Sequence, residues 1–296
     1  MPDTKGKRLV ITAASRAYGP SVLALIGSLN LNWPNHPPVR VYDIGLDDET
    51  LAVLGGHGIE VVKVPPFCPH WRRHFTWKIW CLNDAPARDV LWMDAGLVVL
   101  KPPDEIFDAL EHQGYFVVTN YQLLDWEASE AACEGCGVPP EFRLGKLTLP
   151  GGLMGFRKEG KVREILIEAL SVALVEKHIA ASEPTHRHDQ AIISLLMYKH
   201  FGQVVIADGL VYSGWESPNQ VPGQKIWVHR RRLLARDQAH FAAHISKSNG
   251  PHTPEVPPSS KTPTSLTGLI KRIAFLPLRL ARTYASKATR YDGVRD

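Results

Sequence analysis

Three short apolar segments rich in β-forming residues open this chain, and segments with helical features separate them. The three segments are residues 8–14, 39–44 and 59–64. Ser21 precedes an apolar stretch of helical length between the first two, and the acid-capped segment 46–54 lies between the second and third. Strands that alternate with helices at this spacing predict parallel βαβ units. The sequence therefore predicts an α/β fold around a mostly parallel central sheet.

One acid interrupts a further apolar segment, residues 90–100. Apolar side chains flank Asp94 on both sides, and Gly96 follows two residues later. A carboxylate in such a segment is costly to bury unless other groups satisfy it. In an α/β sheet, ligands bind at the carboxyl ends of the central strands. Asp94 is therefore either part of a binding site or an aspartate that stabilises a tight turn before Gly96.

The second half of the chain is less regular. A helix is predicted around Lys78, and the long segment 120–147 looks irregular, as functional or mobile loops do. Three glycines between residues 151 and 155 indicate a close approach of the backbone to a ligand or a strand. Helices are predicted at 162–180 and 191–198, and residues 186–190 form the start of the second helix. A strand is predicted at 203–207. The C-x-x-C pair Cys133 and Cys136 is predicted to be free thiols in a surface loop, as in a reducing cytoplasm.

Charge is distributed unevenly along the 296 residues, whose net charge is +4. Residues 266–296 carry a net charge of +5, so the remaining residues sum to −1. This balance argues against nucleic acid as a partner of the main body. Five prolines and seven serines or threonines fall within residues 248–265, which predicts a flexible linker. The predicted organisation is a main domain at 1–247, this linker, and a basic amphipathic tail at 266–296.

The tail carries an apolar helical stripe formed by Leu266, Leu269, Ile270 and Ile273. About 11 residues before Pro277 span only ~16 Å as a helix, which is too short to cross a bilayer. The tail is therefore predicted to lie in a membrane interface, to bind a partner, or to pack back on the main domain. The first alternative predicts peripheral membrane contact through residues 266–290.

The order of these pieces resembles a known family. Five places carry the resemblance: residues 11–18, residues 41–51, Trp77-Lys78, residues 92–96, and the glycine-rich segment 151–157 followed by 188–190. The layout is similar to that of GT-A-fold glycosyltransferases, namely family-8-type nucleotide-sugar transferases and related bacterial polysaccharide biosynthesis enzymes. The resemblance covers residues 8–247 and implies a GT-A-like, Rossmann-type sandwich.

The resemblance also implies roles for individual residues. Asp94 stands where the Asp-x-Asp motif of the family begins, and Asp189 faces the donor sugar or the acceptor, so both are candidate catalytic residues. The donor-binding residues that it implies are Ala13, Ser15 and Tyr18 for the nucleotide, Lys78 for the phosphates, Gly96, and Gly151, Gly152 and Gln190 for the sugar. Tyr18 is suited to stacking on a planar base.

The chain departs from the family pattern at Gly96, where the second acid of the motif is expected. Two carboxylates would bridge Mn²⁺ or Mg²⁺ to a diphosphate. A divalent cation could still bind through Asp94 with His240 and His244, since histidine suits Mn²⁺ better than Mg²⁺. Alternatively, no metal is used, and the basic side chains within 225–236 stabilise the leaving diphosphate.

The resulting prediction is a glycosyltransferase that moves a sugar from a nucleotide-sugar donor to a glycan or lipid-linked acceptor. It is expected in the cytoplasm or on the inner face of the plasma membrane, in cell-surface polysaccharide biosynthesis. Two other functions stay open: a non-catalytic sugar-nucleotide or glycan binding module, favoured by Gly96, and a nucleotidyltransferase. The sequence favours neither a retaining nor an inverting reaction, because Asp189 suits a general base as well as a ligand for a sugar hydroxyl.

Overall fold

The computed structural model describes residues 8–180, 185–214, 217–229 and 233–245. The predicted linker 248–265 and the tail 266–296, with its expected membrane contact at 266–290, lie outside the described residues. Within the described ranges, no helix combines the length and the apolar composition needed to cross a bilayer.

The described part of the chain alternates strands and helices, as predicted. Its strands are β1 (Arg8–Ala14), β2 (Val39–Asp43), β3 (Glu60–Lys63), β4 (Asp89–Met93), β5 (Leu97–Val99), β6 (Tyr115–Val117), β7 (Leu153–Arg157) and β8 (Ile226–Val228). Its helices are α1 (Gly19–Asn32), α2 (Asp48–Gly56), α3 (Thr76–Asp84), α4 (Glu105–Gln113), α5 (Leu124–Glu127), α6 (Glu130–Gly135), α7 (Gly160–Ala173), α8 (Glu176–Ala180), α9 (His188–Phe201), α10 (Gly209–Ser213) and α11 (Ala235–Ala242). Short 3-10 turns occur at Arg16–Tyr18 and Pro140–Arg143.

The central sheet has six strands in the order β3-β2-β1-β4-β7-β6. The four strands from β3 to β4 are parallel, which confirms the predicted βαβ units, whereas β7 runs antiparallel to both of its neighbours. Strands β5 and β8 form a separate antiparallel pair. Because β7 is antiparallel to β4, its first residue, Leu153, pairs with the last residue of β4, Met93. This register places the glycines before β7 beside Asp94.

Two apolar layers cover the sheet, and alternating side chains of β4 separate them. Val90 and Trp92 join the cluster that includes helices α3, α7 and α9, whereas Leu91 and Met93 join the cluster that includes α1 and α4. These four side chains are fully buried. A strand buried on both faces is apolar throughout, which explains the uninterrupted apolar sequence before Asp94.

The segment 120–147 is more regular than predicted. It contains α5, α6 and the second 3-10 turn, so the prediction of an irregular loop is wrong. Ser129 Oγ accepts a hydrogen bond from Ala132 N (3.0 Å) and caps α6. Cys133 and Cys136 are fully buried, not part of a surface loop, and burial raises the pKa of both thiols. Helices of one or two turns are too short to show the apolar periodicity that identifies a helix in a sequence.

Two other predicted elements differ in the structure. The helix expected over 162–180 is divided, because α7 ends at Ala173 and α8 begins at Glu176. The strand expected at 203–207 is reduced to one bridge between Ala207 and Val118. Neither difference alters the edge of the sheet at which Asp94 lies.

Candidate active site

Asp94 follows the last residue of β4, at the carboxyl end of the strand. Its carbonyl accepts a hydrogen bond from Leu97 N (3.0 Å), and its amide donates to Gly152 O (2.8 Å). Its carboxylate accepts a hydrogen bond on Oδ1 from the indole of Trp92 (2.8 Å), and the side chain is 43% exposed. The backbone of Asp94 therefore closes the tight turn, while its carboxylate remains accessible. The turn predicted before Gly96 is confirmed, and the accessible carboxylate suits the predicted binding role.

Lys78 lies in the first turn of α3 and is only 4% exposed. Its Nζ donates to Gly151 O (2.9 Å), lies 3.0 Å from Asp94 Oδ1 and lies 3.4 Å from Asp189 Oδ2. An ammonium group has three N–H donors, and this one is surrounded by the Gly151 carbonyl and the carboxylates of Asp94 and Asp189. A donor phosphate would therefore have to displace one of these acceptors to bind Lys78, the contact that the resemblance implies.

The charges of this cluster stabilise one another in a buried setting. Burial by itself would lower the pKa of Lys78, but the carboxylates of Asp189 and Asp94 outweigh that effect and raise the pKa above its usual value. Burial raises the pKa of Asp189, and the attraction of Lys78 offsets this only in part. Lys78 thus stays cationic at neutral pH, and it is the group that makes a buried carboxylate at Asp189 tolerable.

The glycines before β7 leave space for these side chains. A Cβ atom on Gly151 would lie 2.7 Å from Asp189 Oδ2 and 3.3 Å from Lys78 Nζ, whereas one on Gly152 would lie 3.4 Å from Asp94 Oδ2. The first distance is too short for any side chain to fit without displacing the carboxylate. The close approach of the backbone that the glycines predict therefore leaves room for the side chains of Asp189, Lys78 and Asp94.

Gln190 is oriented by hydrogen bonds at both ends of its amide. Its Oε1 accepts from Gly151 N (3.0 Å), and its Nε2 donates to Glu127 Oε2 (3.2 Å). Glu127 is 3% exposed, pairs with Arg187 (3.3 Å) and has a pKa raised by burial, which that pair opposes. The sequence did not identify Glu127, because it lies in α5, inside the segment predicted to be a loop.

The predicted nucleotide-binding residues lie at the exit of β1, the parallel neighbour of β4. Ala13 lies near the end of β1, Ser15 follows the strand, and Tyr18 ends the 3-10 turn, where its amide donates to Ser15 O (2.8 Å). Carboxyl ends of parallel strands share one edge of a sheet. These three residues therefore lie at the same edge as Asp94.

The histidine beside Gly96 is His229, which belongs to the basic segment 225–236 of the sequence. Its amide donates to Gly96 O (3.0 Å), because β8 pairs with β5 directly after the motif. Its ring is 2% exposed, and burial lowers its pKa to about 4. His240 lies in α11, and the carbonyl of His244 accepts a hydrogen bond from Asn30 of α1 (2.9 Å).

These residues fit a divalent cation poorly. In the described ranges, no three His, Cys, Asp or Glu side chains, His240 and His244 included, are grouped so that they could hold an ion. Asp94 supplies one carboxylate, Gly96 supplies none, and the Lys78 ammonium already neutralises Asp94 at 3.0 Å. Divalent cations such as Mg²⁺ and Mn²⁺ favour several oxygen ligands of negative charge, so no reaction step is assigned to a metal.

No protein-family model matches this sequence, and no curated protein sequence matches it. Solved structures do match the fold. The galactosyltransferase LgtC, in complex with donor and acceptor sugar analogues, aligns with a TM-score of 0.56 and 15% identity over 79% of this chain and 95% of that one. An active-site mutant of LgtC aligns with a TM-score of 0.54 and 14% identity, over 80% of this chain and 94% of that one.

The bifunctional glycosyltransferase WbbM also aligns, in its apo form, with a TM-score of 0.52 and 15% identity. This match covers 85% of the present chain and 47% of WbbM. At these identities the alignments establish architecture, and they confirm the resemblance drawn from the sequence. The chain has the fold of GT-A glycosyltransferases.

Proposed function

We propose that this protein is a glycosyltransferase that moves a sugar from a nucleotide-sugar donor to a hydroxyl group of a glycan or lipid-linked acceptor. The observation that carries the proposal is the buried Lys78 with its two carboxylates at the carboxyl end of β4. In α/β folds this edge is where ligands bind. A buried and compensated charge cluster at such a position is typical of a functional site.

The proposed chemistry assigns a role to each side chain. Asp94, whose carboxylate is partly exposed, accepts a hydrogen bond from a sugar hydroxyl or takes its proton. Lys78 holds Asp94 and Asp189 in place, and Gln190, fixed through Gly151 and Glu127, presents its amide edge to the sugar. Prepositioned groups of this kind lower the barrier because they need not reorganise during the reaction.

The departing nucleoside diphosphate gains negative charge as the sugar–phosphate bond breaks. We propose that basic side chains within 225–236 approach the diphosphate. Strand β8 brings His229 to the turn after Asp94, and Arg230, Arg231 and Arg232 lie outside the described residues. Guanidinium groups bind phosphate oxygens in pairs. These side chains would supply the positive charge that a metal ion would otherwise supply, so a second carboxylate at position 96 is not needed to hold such an ion.

The experiment is a donor panel. The full-length chain is incubated with UDP-, GDP- and ADP-linked hexoses, and release of the nucleoside diphosphate is measured with and without simple glycoside acceptors. Release from at least one donor, reduced at least about 100-fold in Asp94→Asn, supports the transferase. Nucleotide binding without release from any donor supports the binding module instead, and release of pyrophosphate from a sugar phosphate and a nucleoside triphosphate supports a nucleotidyltransferase.

The proposal also includes the setting of the reaction. A lipid-linked acceptor for cell-surface polysaccharide fits a chain whose basic tail contacts the inner face of the plasma membrane through residues 266–290. Truncation after residue 262 should lower binding to anionic liposomes, and added salt should reproduce the loss for the intact chain. Equal liposome binding by the intact and truncated chains would contradict this part.

A further inference from the structure

Three residues with left-handed backbone conformations surround the rim of the charged cluster. They are His74 and Phe75, both with φ of 57°, and His188, with φ of 42°. Residues other than glycine, asparagine, aspartate and histidine rarely adopt this region, so the backbone strain is largest at Phe75. His74 and Phe75 directly precede α3, and His188 is the first residue of α9. The strain is therefore concentrated where the two helices bring Lys78 and Asp189 to the site.

The strained segments present an aromatic ring to solvent. Phe75 is 45% exposed, although it is one of the largest apolar side chains. Lys78 Nζ lies 5.5 Å from the centroid of its ring, and the ring of His188 lies 6.0 Å away. An exposed phenylalanine held in an unfavourable backbone conformation contributes little to the core. The backbone strain at Phe75, beside the charged cluster, is the feature that indicates a role in binding.

The position of this ring differs from that of the predicted nucleotide contact. Tyr18 packs against the apolar layer of α1 and α4, whereas Trp77, whose ring lies 6.0 Å from that of Phe75, belongs to the layer of α3, α7 and α9. Tyr18 and Phe75 therefore lie toward opposite faces of the sheet. A base at the exit of β1 leaves the Phe75 ring free for a different part of the substrate.

From this placement we propose that Phe75 and His188 form a platform for a pyranose ring of the acceptor glycan, which rests on the proposed transferase function. The C–H groups on one face of a pyranose carry partial positive charge, and the face of an aromatic ring carries partial negative charge. A sugar stacked on Phe75 lies beside Lys78, whose Nζ is 3.0 Å from Asp94 Oδ1. One of its hydroxyl groups can then reach the carboxylate that accepts the proton.

The test uses variants that separate the ring from the backbone strain. Phe75→Asn removes the ring and places at this φ a residue that tolerates it, so its melting temperature should equal or exceed that of the native chain. Phe75→Trp keeps an aromatic face. Ile167→Ala, which shortens a 50% exposed apolar residue on α7, is the matched control away from the site.

Binding is measured by saturation-transfer NMR with methyl α- and β-glycosides of glucose, galactose and mannose. The native chain, Phe75→Trp and Ile167→Ala should transfer magnetisation to the C–H face of at least one glycoside, and Phe75→Asn should lose at least tenfold in affinity. Equal transfer in Phe75→Asn, or no transfer in the native chain, overturns the platform. If Phe75→Asn instead loses binding of UDP, GDP or ADP while its contact with the glycoside is intact, the platform is overturned, and Phe75 contacts the nucleotide base.

This measurement does not depend on turnover, so the platform and the transferase can fail separately. If the donor panel gives no nucleoside diphosphate but the glycoside signal depends on Phe75, the platform stands and the transferase fails. If the panel gives turnover, Phe75→Asn should raise the KM for the acceptor glycoside at least tenfold, whereas Ile167→Ala should leave that KM within twofold of the native value. Unchanged acceptor KM overturns the platform and leaves the transferase intact.

Discussion

Lys78 Nζ lies 3.4 Å from Asp189 Oδ2, and both side chains are at most 6% exposed. A buried pair of this kind gives little net stability by itself, but the loss of one partner leaves the other charge uncompensated. This pair joins the start of α3 to the start of α9, and through Gly151 it joins both to β7. The charged cluster therefore couples the stability of the fold to the geometry of the site.

Replacement of Lys78 should destabilise the protein through Asp189. Lys78→Met leaves a buried carboxylate without its cation, and we expect a loss of about 3–5 kcal/mol in the free energy of unfolding. The double variant Lys78→Met/Asp189→Asn should recover part of this loss, with a coupling energy of about 1–3 kcal/mol in urea unfolding. If the two substitutions are additive, the pair carries no such coupling.

The two neighbouring glycines should respond differently to the same substitution. Gly151→Ala places a Cβ atom 2.7 Å from Asp189 Oδ2, so the carboxylate must move. We expect a loss of about 1–3 kcal/mol of stability together with most of the turnover. Gly152→Ala is the matched control, because its Cβ atom lies 3.4 Å from the flexible Asp94 carboxylate. Equal effects of the two substitutions on unfolding and on turnover would refute the role given to Gly151.

The stability of the protein should fall as the pH decreases from 6.5 to about 4, in part because of His186. This residue is 4% exposed, and burial lowers its pKa to about 4. Its Nδ1 accepts a hydrogen bond from Ser129 N (3.2 Å), and its Nε2 lies 3.0 Å from Ile179 O, so only the neutral ring satisfies both contacts. The unfolded chain binds the proton first, so folding stability is full above pH 6.5 and is lost toward pH 4.

The fully developed effect of His186 is about 3 kcal/mol. Urea unfolding at half-unit steps between pH 4 and 7 measures it. His186→Asn keeps an acceptor for the Ser129 amide but does not titrate in this range, so its stability should vary less with pH than that of the native chain. Parallel curves for the two proteins would contradict the assignment.

Removal of divalent cations should leave the reaction largely intact. The Lys78 ammonium already neutralises Asp94, and Gly96 provides no second carboxylate. We therefore expect release of nucleoside diphosphate in excess EDTA to stay within about threefold of the rate with Mn²⁺, since the ligands for tight binding of the ion are few. If release of nucleoside diphosphate is lost in EDTA and restored by titration with Mn²⁺, the prediction is wrong and the site holds a divalent cation.

Much of the fold was predictable because β1, β2, β3 and β4 are short segments rich in apolar and β-branched residues that are bounded by turns. Strand β7 was not predicted, because Gly152 precedes it and Gly155 lies within it. Glycine has a low propensity for strands. Helices α5 and α6 were missed because each is too short to show periodicity.

The members of the candidate site were identified more readily than their contacts. Asp94, Gly151 and Asp189 drew attention as residue types at strand and helix ends, and the structure brings them together around Lys78. No pattern along the chain indicates that Lys78 would be enclosed by carboxylates, because that contact depends on the antiparallel register of β4 and β7. The pairing of β5 with β8, which brings His229 to Gly96, is likewise a long-range contact.

The central claim is that the carboxylate of Asp94 acts on the sugar substrate at this site. The most direct measurement is kcat/KM for release of nucleoside diphosphate from the best donor of the panel, compared between the native chain and Asp94→Asn. The substitution keeps the shape of the side chain, so circular dichroism and the melting temperature should change little. We predict a decrease of at least about 100-fold in kcat/KM, the size expected for loss of a positioned acid–base or electrostatic group. A folded Asp94→Asn variant with kcat/KM within threefold of the native value would contradict the account.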